Sequence, residues 1–486
     1  MTRREGSWSL DFVAASIGAD IPSGVGAHSF GEVTSVVTDS REVGPGSAFV
    51  ALAGPNFDGH DFLQTTIDAG AAAIVVARDA FLARRETLRL GTVVPLMVPD
   101  PQVALGDWAR AHRHRLRTPV YALTGSNGKT TVKEMLASIL GVSRRVLKTE
   151  GNLNNLIGMP MTILGIDATH QAAVLEMGMN ARGEIAALTS MADPDVGLVL
   201  NVGPAHIGRL GSLAEIGNAK GELYAGLDRD RAIAIVNVDD PEVMRVAGAS
   251  GCPRIRTFGA SAGADVRLGH CVAIDERSQH ITLSIDGRSI ELRLPFPGRH
   301  NALNAAAAAA AATTSTTSAT TARAEGATLD EVIEGLTRTE GIKGRLRMTK
   351  VGPYVVVDDA YNANRASVVA AIETVSSEAM RRGVGWVALI GEMRELGAFS
   401  AKEHAAVGKA LGKASARVVM ALGAEAEPVS AWAARAGLDV HHEVEDVEAA
   451  WTWIRPRLRA GDLILVKGSR GSRMERFIER LSAEYA

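Results

Sequence analysis

The sequence is poor in cysteine, aromatic residues and long apolar runs. Cys252 and Cys271 are its only cysteines, and their spacing fits neither a disulfide framework nor a thiolate metal site. No apolar run approaches the roughly 18 residues that suggest a membrane-spanning helix. Asp11 interrupts the apolar stretch that follows the start MTRREG, which argues against a signal peptide. We therefore expect a soluble, cytoplasmic protein without a membrane span.

Neither sign of charge dominates. The chain has 52 Lys and Arg residues against 55 Asp and Glu residues, a net charge of −3, so no basic field predicts nucleic-acid binding. Hydrophobic residues make up 46% of the 486 residues, enough for a large core. At roughly 150 residues per domain, this length predicts two to four domains.

Alternation of strands and helices predicts three α/β domains, covering residues 1–100, 101–340 and 341–486. In the first, a small α/β unit, we predict strands at 33–38, 47–52, 72–77 and 93–98. A helix near 103–117 leads into the second, where we predict strands at 120–125, 172–177, 196–202 and 232–237. In the third we predict strands at 354–359, 386–391, 416–422 and 462–468. Such alternation favours parallel sheets covered on both faces, the last a second doubly wound sheet.

Two further segments of the second domain have distinctive patterns. Alternating residues at 265–294 predict an antiparallel hairpin that turns at Asp286-Gly287. Eight consecutive alanines at 305–312 predict a strong helix, for which close packing is the simplest explanation. A Thr/Ser-rich tract follows and resembles a linker.

A glycine-rich loop, TGSNGKTT at 124–131, separates a predicted buried strand from a helix beginning near Lys129. Backbone N–H groups of such a loop bind phosphate, helped by the helix N-terminus. Lys129 would reach the β- and γ-phosphates, and the Thr130 hydroxyl would ligate Mg²⁺. The general motif has a further glycine where this chain has Leu123. The predicted nucleotide-binding residues here are Gly125, Ser126, Asn127, Gly128, Lys129, Thr130 and Thr131, and the loop alone does not fix the reaction.

With this loop, a series of motifs resembles the Mur ligases along nearly the whole chain. They are TDSR (38–41), FDGHDF (57–62), GNLNNLIGMP (151–160), EMGMN (176–180), NVGPAHIGRLGSLAEIGNAKGE (201–222), HNALN (300–304), DDAYNAN (358–364), GEMRELG (391–397) and LVKGSRG (465–471). GNLNN, DDAYNAN and VKGSRG are most similar to members that add D-alanyl-D-alanine to a UDP-linked muramoyl tripeptide. The chain departs from them at Arg365, where proline is usual, and in the alanine and Thr/Ser stretch, which we interpret as drift in a linker.

The resemblance implies three domains: an N-terminal UDP-sugar-binding domain, a central P-loop ATPase-like parallel sheet and a C-terminal Rossmann-like sheet. It implies an ATP-dependent amide ligase of peptidoglycan precursor synthesis that works through an acyl phosphate. Phosphorylating a carboxylate requires positive charge around the transferring group, which Lys129 and Mg²⁺ would supply. The small-molecule partners would be ATP, UDP-MurNAc-tripeptide and D-Ala-D-Ala, and we expect a monomer that closes around them by a hinge motion.

The resemblance also implies roles for particular residues. The catalytic residues would be Lys129, Glu176, His206 and Lys220, the last carbamylated by CO₂. One or two Mg²⁺ ions would be held by Thr130, Glu176, His206 and the Lys220 carbamate. ATP would also contact Asn304 at the adenine, Arg345 at the γ-phosphate and Asp359 at the ribose.

Substrate-binding residues are implied in polar loops. For the UDP-sugar-peptide they are Ser40, Arg41, Asn56, Asp58, His60, Asn152, Asn154 and Asn155. On the D-Ala-D-Ala side they are Tyr361, Asn362, Lys467, Ser469 and Arg470.

Alternatives remain open at each of these positions. An exposed helical lysine such as Lys220 is usually just solvated, Asn301 can serve as a helix N-cap, and Asn or Asp in the loops can simply form turns. For the whole chain, the alternatives are a Mur ligase or folylpolyglutamate synthase-like enzyme with other substrates, a phosphate-loop kinase or nucleotide switch, and a non-catalytic UDP-sugar sensor.

Overall fold

The computed structural model describes residues 3–22, 31–116, 118–205, 207–275, 277–316 and 325–485. They form three α/β units, each built on its own sheet. Within these ranges, no helix combines the length and apolar character that crossing a bilayer demands. The domain limits near 100 and 340 stay predictions.

The N-terminal unit contains a five-stranded sheet in the order β1-β2-β3-β4-β5. Its elements are β1 (Arg3–Ser9), α1 (Leu10–Ile17), β2 (Glu32–Val37), β3 (Ser47–Val50), α2 (Leu63–Asp68), β4 (Ala73–Ala77), α3 (Arg78–Arg84), β5 (Val94–Val98) and α4 (Pro101–His114). The four predicted strands are confirmed as parallel neighbours. Strand β1 pairs antiparallel with β2 and was not predicted, because RREGSWS lacks an apolar alternation.

The central unit is a nine-stranded sheet in the order β14-β13-β12-β11-β10-β9-β6-β8-β7. Its first elements are β6 (Val120–Thr124), α5 (Lys129–Leu140), β7 (Val146–Lys148), α6 (Gly158–Ile163), β8 (Ala172–Glu176), α7 (Glu184–Ala192), β9 (Val196–Val199), α8 (Ile207–Leu210) and α9 (Leu213–Ala225). The remainder are β10 (Ile233–Asn237), α10 (Pro241–Ser250), β11 (Ile255–Gly259), β12 (Val266–Asp275), β13 (Ser278–Ile285), β14 (Arg288–Leu294), α11 (Arg299–Ala312) and α12 (Leu329–Arg338).

Strand β6 is the switch point of the central sheet. It pairs in parallel with β8 on one side and with β9 on the other, so the chain leaves it in both directions. Ligands of open α/β sheets bind beyond the carboxyl ends of strands at such a point. The sheet therefore places the ends of β6, β8 and β9 around one crevice.

The predicted hairpin and the alanine helix are both present. Strands β13 and β14 pair antiparallel, and Asp286 and Gly287 both have positive φ, 51° and 80°, as a two-residue hairpin turn of this hand requires. Residues 305–312 lie buried within α11, against α5 and the sheet. Our interpretation of the alanines as linker drift is therefore wrong, since they are core. Residues 317–324 of the Thr/Ser tract lie outside the described residues.

The C-terminal unit is a six-stranded sheet in the order β15-β16-β20-β17-β18-β19. Its elements are β15 (Arg347–Val351), β16 (Tyr354–Asp359), α13 (Arg365–Arg382), β17 (Trp386–Gly391), α14 (Ser400–Lys413), β18 (Val418–Leu422), α15 (Glu427–Arg435), β19 (Asp439–Glu443), α16 (Val447–Ile454), β20 (Leu463–Lys467) and α17 (Glu475–Ala483). The four predicted strands form its parallel centre. Helices pack on both faces, which confirms a doubly wound sheet. The polar edge strand β19, DVHHE, was not predicted.

Candidate active site

The glycine-rich loop connects β6 to α5, as predicted. Gly128 is the N-cap of α5 with φ 82°, and no side chain caps the helix, so the N–H groups of its first turn are available to bind an anion. A Cβ on Gly128 would lie 2.6 Å from Asn304 Oδ1. Both the backbone angle and the close approach of Asn304 therefore require glycine here. Leu123 is a buried strand residue, so the departure from the general motif leaves the loop intact.

Lys129 begins α5 and lies over the loop. Its Nζ donates a hydrogen bond to Gly125 O at 2.7 Å. Burial lowers the pKa of Lys129, an effect that the Glu176 carboxylate opposes. The ammonium is therefore held at the open N-terminus of α5, within the electrostatic range of Glu176.

Glu176 ends β8 next to the loop. It is only 3% exposed, and its Oε1 accepts a hydrogen bond from Asn154 Nδ2 at 2.9 Å. Its backbone N–H donates to Thr149 Oγ1 at 3.0 Å. Oε2 has no hydrogen-bond partner among the described residues. A buried carboxylate with one unused oxygen is typical of a group that meets a ligand or cation.

Lys220 lies inside α9 and is 2% exposed, so the alternative of a solvated surface lysine is wrong. Among the described residues, no hydrogen bond or ion pair involves its Nζ. Burial, together with the nearby Lys129 ammonium, holds the pKa of Lys220 well below its usual value. Lys129, Glu176 and Lys220 thus belong to one electrostatic cluster. His206, the fourth predicted catalytic residue, lies outside the described residues.

The C-terminal unit contributes side chains to the same crevice. Arg345 Nη2 donates to Thr130 Oγ1 at 3.1 Å, and its guanidinium stacks over the Tyr361 ring at 4.5 Å. Asn364 Nδ2 donates to Asn127 Oδ1 at 2.7 Å. Arg345 is therefore not a plain surface residue, since it bonds the central unit at Thr130.

Asp359 and Lys467 form a buried pair beneath these residues. Lys467 Nζ lies 2.5 Å from Asp359 Oδ2 and also donates to Asn362 O at 3.0 Å. Burial raises the pKa of Asp359 and lowers the pKa of Lys467, and their mutual attraction opposes both shifts. Both groups already have hydrogen-bond partners within the protein. To bind a ribose or a dipeptide, Asp359 or Lys467 would therefore have to hydrogen-bond the ligand in addition to these partners.

The start of α11 approaches the loop from the other side. Its N-cap is Gly298, without a side-chain cap, so the alternative of Asn301 as N-cap is wrong. Asn301 instead donates to Pro297 O at 2.7 Å and accepts from Asn304 Nδ2 at 3.2 Å. Burial and the Lys467 ammonium lower the pKa of His300 to about 4. The hydrogen bond from Asn304 Nδ2 to Asn301 Oδ1 orients the Asn304 side chain toward Gly128.

Three family models match along the chain. They are described as the Mur ligase family catalytic domain at residues 32–113, the Mur ligase middle domain at 123–312, and the Mur ligase glutamate ligase domain at 344–470. A UDP-N-acetylmuramoyl-tripeptide–D-alanyl-D-alanine ligase of Escherichia coli (strain K12) is 35% identical over 450 residues, which cover 92% of this chain and 93% of the relative. The chain belongs to the Mur ligase family.

Solved structures of this family share the fold. A crystal structure of MurF from Acinetobacter baumannii superposes with a TM-score of 0.84 at 31% identity, covering 99% of both chains. The MurF ligase of Thermotoga maritima in complex with ADP superposes with a TM-score of 0.78 at 28% identity, covering 93% of this chain and 97% of that one. The predicted three-sheet architecture is thus confirmed, and use of ATP is supported.

The predicted UDP-sugar residues of this Mur ligase family member lie in two separate places. In the N-terminal loops, Asp39 caps a short helical turn and pairs with Arg41, next to Ser40. Asp58 accepts from His60 Nδ1 at 2.6 Å, and His60 Nε2 accepts from Ala77 N at 3.0 Å. Both ring nitrogens of the buried His60 are therefore occupied by the fold, whereas Asn56 is exposed in a turn.

The GNLNN loop lies beside Glu176 instead. Asn154 contacts that carboxylate directly, Asn152 is exposed, and Asn155 Oδ1 accepts from Gly158 N at 2.8 Å, which stabilises the start of α6. Among the described residues, no hydrogen bond or ion pair joins the N-terminal loops to the phosphate loop. Asn155 therefore matches the turn-forming alternative, and Asn154 lies at the crevice.

The LVKGSRG motif at 465–471 has both buried and exposed residues. Ser469 is buried and its Oγ accepts from Arg394 N at 2.9 Å. Arg470 is exposed and pairs with Glu475 at 3.2 Å. The structure therefore brings Tyr361, Asn362 and Lys467 together, while Arg470 points to solvent.

Sequence reasoning missed two residues that support the site. Lys133 is buried, and its Nζ donates to Thr149 O at 2.6 Å and lies 3.1 Å from Glu134 Oε1. Asn201 pairs with the main chain of the phosphate loop at Asn127. The signal for Lys133 was its spacing of four from Lys129, which places both lysines on one face of α5. The signal for Asn201 was its position just beyond the end of β9.

Proposed function

We propose that this protein is an ATP-dependent amide ligase that adds D-alanyl-D-alanine to UDP-N-acetylmuramoyl-tripeptide, giving the pentapeptide precursor of peptidoglycan. The observation that supports it most is the cluster of Lys129, Glu176 and Lys220 around an uncapped helix N-terminus, which the C-terminal unit closes with Arg345. The curated relatives with this activity match over more than nine tenths of the chain.

The reaction proceeds in two steps. A carboxylate oxygen of the tripeptide attacks the γ-phosphorus of ATP, so the bond to ADP breaks and an acyl phosphate forms. The free amine of D-Ala-D-Ala then attacks the acyl carbon, phosphate leaves, and the nitrogen loses a proton. Lys129, the N–H groups at the start of α5 and Arg345 stabilise the negative charge on the transferring phosphoryl group.

The crevice suits Mg²⁺. Glu176 has an unused buried oxygen, and Thr130 has a hydroxyl beside the loop. The described residues contain no group of three His, Cys, Asp or Glu side chains that could hold a metal. Mg²⁺ commonly binds one or two carboxylates and keeps water and phosphate oxygens as its other ligands. When bound, it neutralises phosphate charge, and Thr130, Glu176 and His206 are the candidates to hold it.

The environment of Lys220 favours carbamylation. Its amine is buried beside Lys129, without a partner among the described residues, so an uncharged or acylated nitrogen is preferred over an ammonium. Addition of CO₂ forms an N–C bond, releases a proton and creates an anionic oxygen donor toward Lys129 and Mg²⁺. Carbon-13 NMR after incubation with labelled bicarbonate tests this. We expect a carbamate signal in the wild type that Lys220→Arg loses, and a signal in both or in neither contradicts it.

The remaining assignments follow the same activity. We assign Ser40, Arg41, Asn56, Asp58, His60, Asn152 and Asn154 to the UDP-sugar-peptide, Asn304 to the adenine, and Tyr361, Asn362, Lys467, Ser469 and Arg470 to the dipeptide side. A monomer in the cytoplasm, where ATP and UDP-linked precursors are available, fits these small-molecule partners.

Phosphate release with a matrix of substrates tests the function. We expect release only when ATP, UDP-MurNAc-tripeptide and D-Ala-D-Ala are present together, with a pentapeptide product detected by mass spectrometry. Release with a single amino acid would indicate another ligase of the same fold. Phosphate release without an amine would indicate a kinase or nucleotide switch, and no release in any combination would indicate a sensor.

A further inference from the structure

The tip of the phosphate loop is fixed by the segment that follows β9. Asn127 N donates to Asn201 Oδ1 at 2.9 Å, and Asn201 Nδ2 donates to Asn127 O at 3.1 Å. Ser126 Oγ donates to Gly203 O at 3.0 Å and accepts from Gly203 N at 2.8 Å. The main chain of Asn127 and the side chain of Ser126 are thus bonded within the central unit, and the Asn127 side chain remains available to another partner.

That partner is Asn364, 237 positions away in the C-terminal unit. Asn364 is the N-cap of α13: its Oδ1 accepts from Ser367 N at 3.0 Å, and its N–H donates to Ser367 Oγ at 3.1 Å. Because Oδ1 is used by the cap, Nδ2 is the atom that faces Asn127 Oδ1, at 2.7 Å. The helix therefore sets the direction in which Asn364 donates.

This contact differs from the other hydrogen bonds and ion pairs between the described residues of the two units. Arg345 is charged and lies where the terminal phosphate is proposed to bind, so its bond to Thr130 competes with nucleotide. Away from the loop, Gly208 N donates to Glu395 O at 3.1 Å and Arg209 pairs with Glu395 Oε1 at 3.3 Å. The pair of Asn127 and Asn364 is neutral and touches the loop itself. The hydrogen bond between Asn127 and Asn364 can therefore form while Arg345 contacts the nucleotide.

We propose that Asn364 is a positioning residue that, through Asn127, holds the phosphate loop and the DDAYNAN loop at one separation when the C-terminal unit closes on the central unit. The juxtaposition of Asn364 Nδ2 with Asn127 Oδ1 carries the proposal, which rests on the proposed function. Loss of the contact shifts the closed state toward open and lowers the rate of phosphoryl transfer, while the binding of ATP by the central unit is retained.

The test separates the contact from the helix cap. Asn364→Ser keeps a good N-cap but is too short to reach Asn127, and Asn364→Ala loses both roles. Asn127→Ala removes the acceptor and leaves the main-chain pair with Asn201. For Asn364→Ser and Asn127→Ala, we expect kcat to fall about three- to tenfold, the range for one neutral hydrogen bond. In Asn364→Ser, the KM for ATP and the melting temperature should change little.

A double-mutant cycle then decides the question. If the two asparagines act through each other, the Asn127→Ala/Asn364→Ser double variant loses no more kcat than either single variant. Additive losses, or an unchanged kcat in Asn364→Ser, overturn the proposal. A loss seen in Asn364→Ala alone assigns the residue to the cap.

Small-angle scattering supplies a readout that does not depend on ligase activity. With a non-hydrolysable ATP analogue, the wild type should be more compact than Asn364→Ser. A wild type that compacts but forms no pentapeptide contradicts the proposed function and leaves the contact supported. Equal compaction in both proteins contradicts the contact whatever the activity.

Discussion

Two clusters of buried charge lie at opposite ends of the central sheet. At the amino end, Asp195 precedes β9 and is buried, and both of its oxygens are paired. Oδ1 accepts from Arg231 at 2.6 Å, and Oδ2 accepts from Arg113 at 3.1 Å and from Val120 N at 2.9 Å. At the carboxyl end, Glu176 Oε2 has no hydrogen-bond partner among the described residues, and Lys220 is buried near the Lys129 ammonium.

The difference separates a structural role from a functional one. Removing a member of a paired buried network leaves a charge without its partner, which costs stability. An unpaired buried charge already costs stability in the folded protein, so its retention is typical of a site where a ligand supplies the missing interaction. We therefore expect substitutions at the carboxyl end to affect activity and those at the amino end to affect folding.

The largest effect is expected from Lys129→Ala. Loss of the ammonium at the phosphate loop removes charge stabilisation from phosphoryl transfer, so kcat should fall by roughly 10³-fold or more. Because partial burial lowers the pKa of Lys129, its removal should leave the melting temperature unchanged or slightly raised. Phosphate-release kinetics and thermal unfolding measure the two quantities. A Lys129→Ala variant with a lower melting temperature but an unchanged kcat would contradict the functional role of the carboxyl end.

Asp195→Asn should lower the free energy of unfolding by about 3–5 kcal/mol, because Arg113 and Arg231 lose their shared carboxylate. Denaturant unfolding measures this change. Below the melting temperature of the variant, kcat should stay within about twofold of the wild type. As a control, Asp193→Asn affects a half-exposed partner of Arg231 and should cost about 1 kcal/mol or less.

Lys133→Met tests a paired charge at the carboxyl end. Lys133 donates to Thr149 O, and Thr149 Oγ1 in turn accepts from Glu176 N. We expect a loss of about 1–3 kcal/mol of stability, since the Thr149 carbonyl loses its donor, and a smaller fall in kcat than in Lys129→Ala. Lys148→Met removes the other, exposed lysine that pairs with Glu134, and it should change neither quantity appreciably.

The smallest effect concerns pH. The pKa of His300 falls from its ordinary value near 6.5 to about 4 on folding, so the unfolded chain binds more protons between those values. The contribution to stability is therefore complete above pH 6.5 and is lost as pH falls toward 4. The test is the free energy of unfolding of His300→Gln and of the wild type, each at pH 7 and pH 5. Between pH 7 and pH 5, the stability of the variant relative to the wild type should rise by up to about 2 kcal/mol. A difference that does not change with pH contradicts this assignment.

The fold was largely predictable because buried parallel strands are apolar runs between turn residues. WVALIG at 386–391 was predicted to the residue. The edge strands β1, β7, β15 and β19 were not predicted, because edge strands can be polar and their pairing depends on a distant neighbour. Strand β11 was not predicted either. The alanine run was correctly predicted as a helix. We gave two explanations for its composition, close packing and drift in a linker, and only close packing is confirmed.

The site was predictable where a motif places a side chain at a helix start, as for Lys129, or at a strand end, as for Glu176. It was less predictable where position depends on packing between units. The burial of Lys220 and the bridge from Arg345 to Thr130 depend on how helices and sheets pack. The hydrogen bond from Ala77 N to His60 Nε2 likewise joins residues 17 positions apart, whose proximity local patterns do not reveal.

The alanine helix has a consequence for how this protein can change. Helix α5, which begins with Lys129, lies between α11 and α12. On the α12 side, a Cβ on Gly335 would approach Ile139 Cα to 2.4 Å. On the other side are the buried alanines of 305–312. The small size of the alanine side chains on α11 therefore allows a short distance between α11 and α5. A larger side chain at an alanine that faces α5 would push this helix away from α11 and would displace Lys129 at its start.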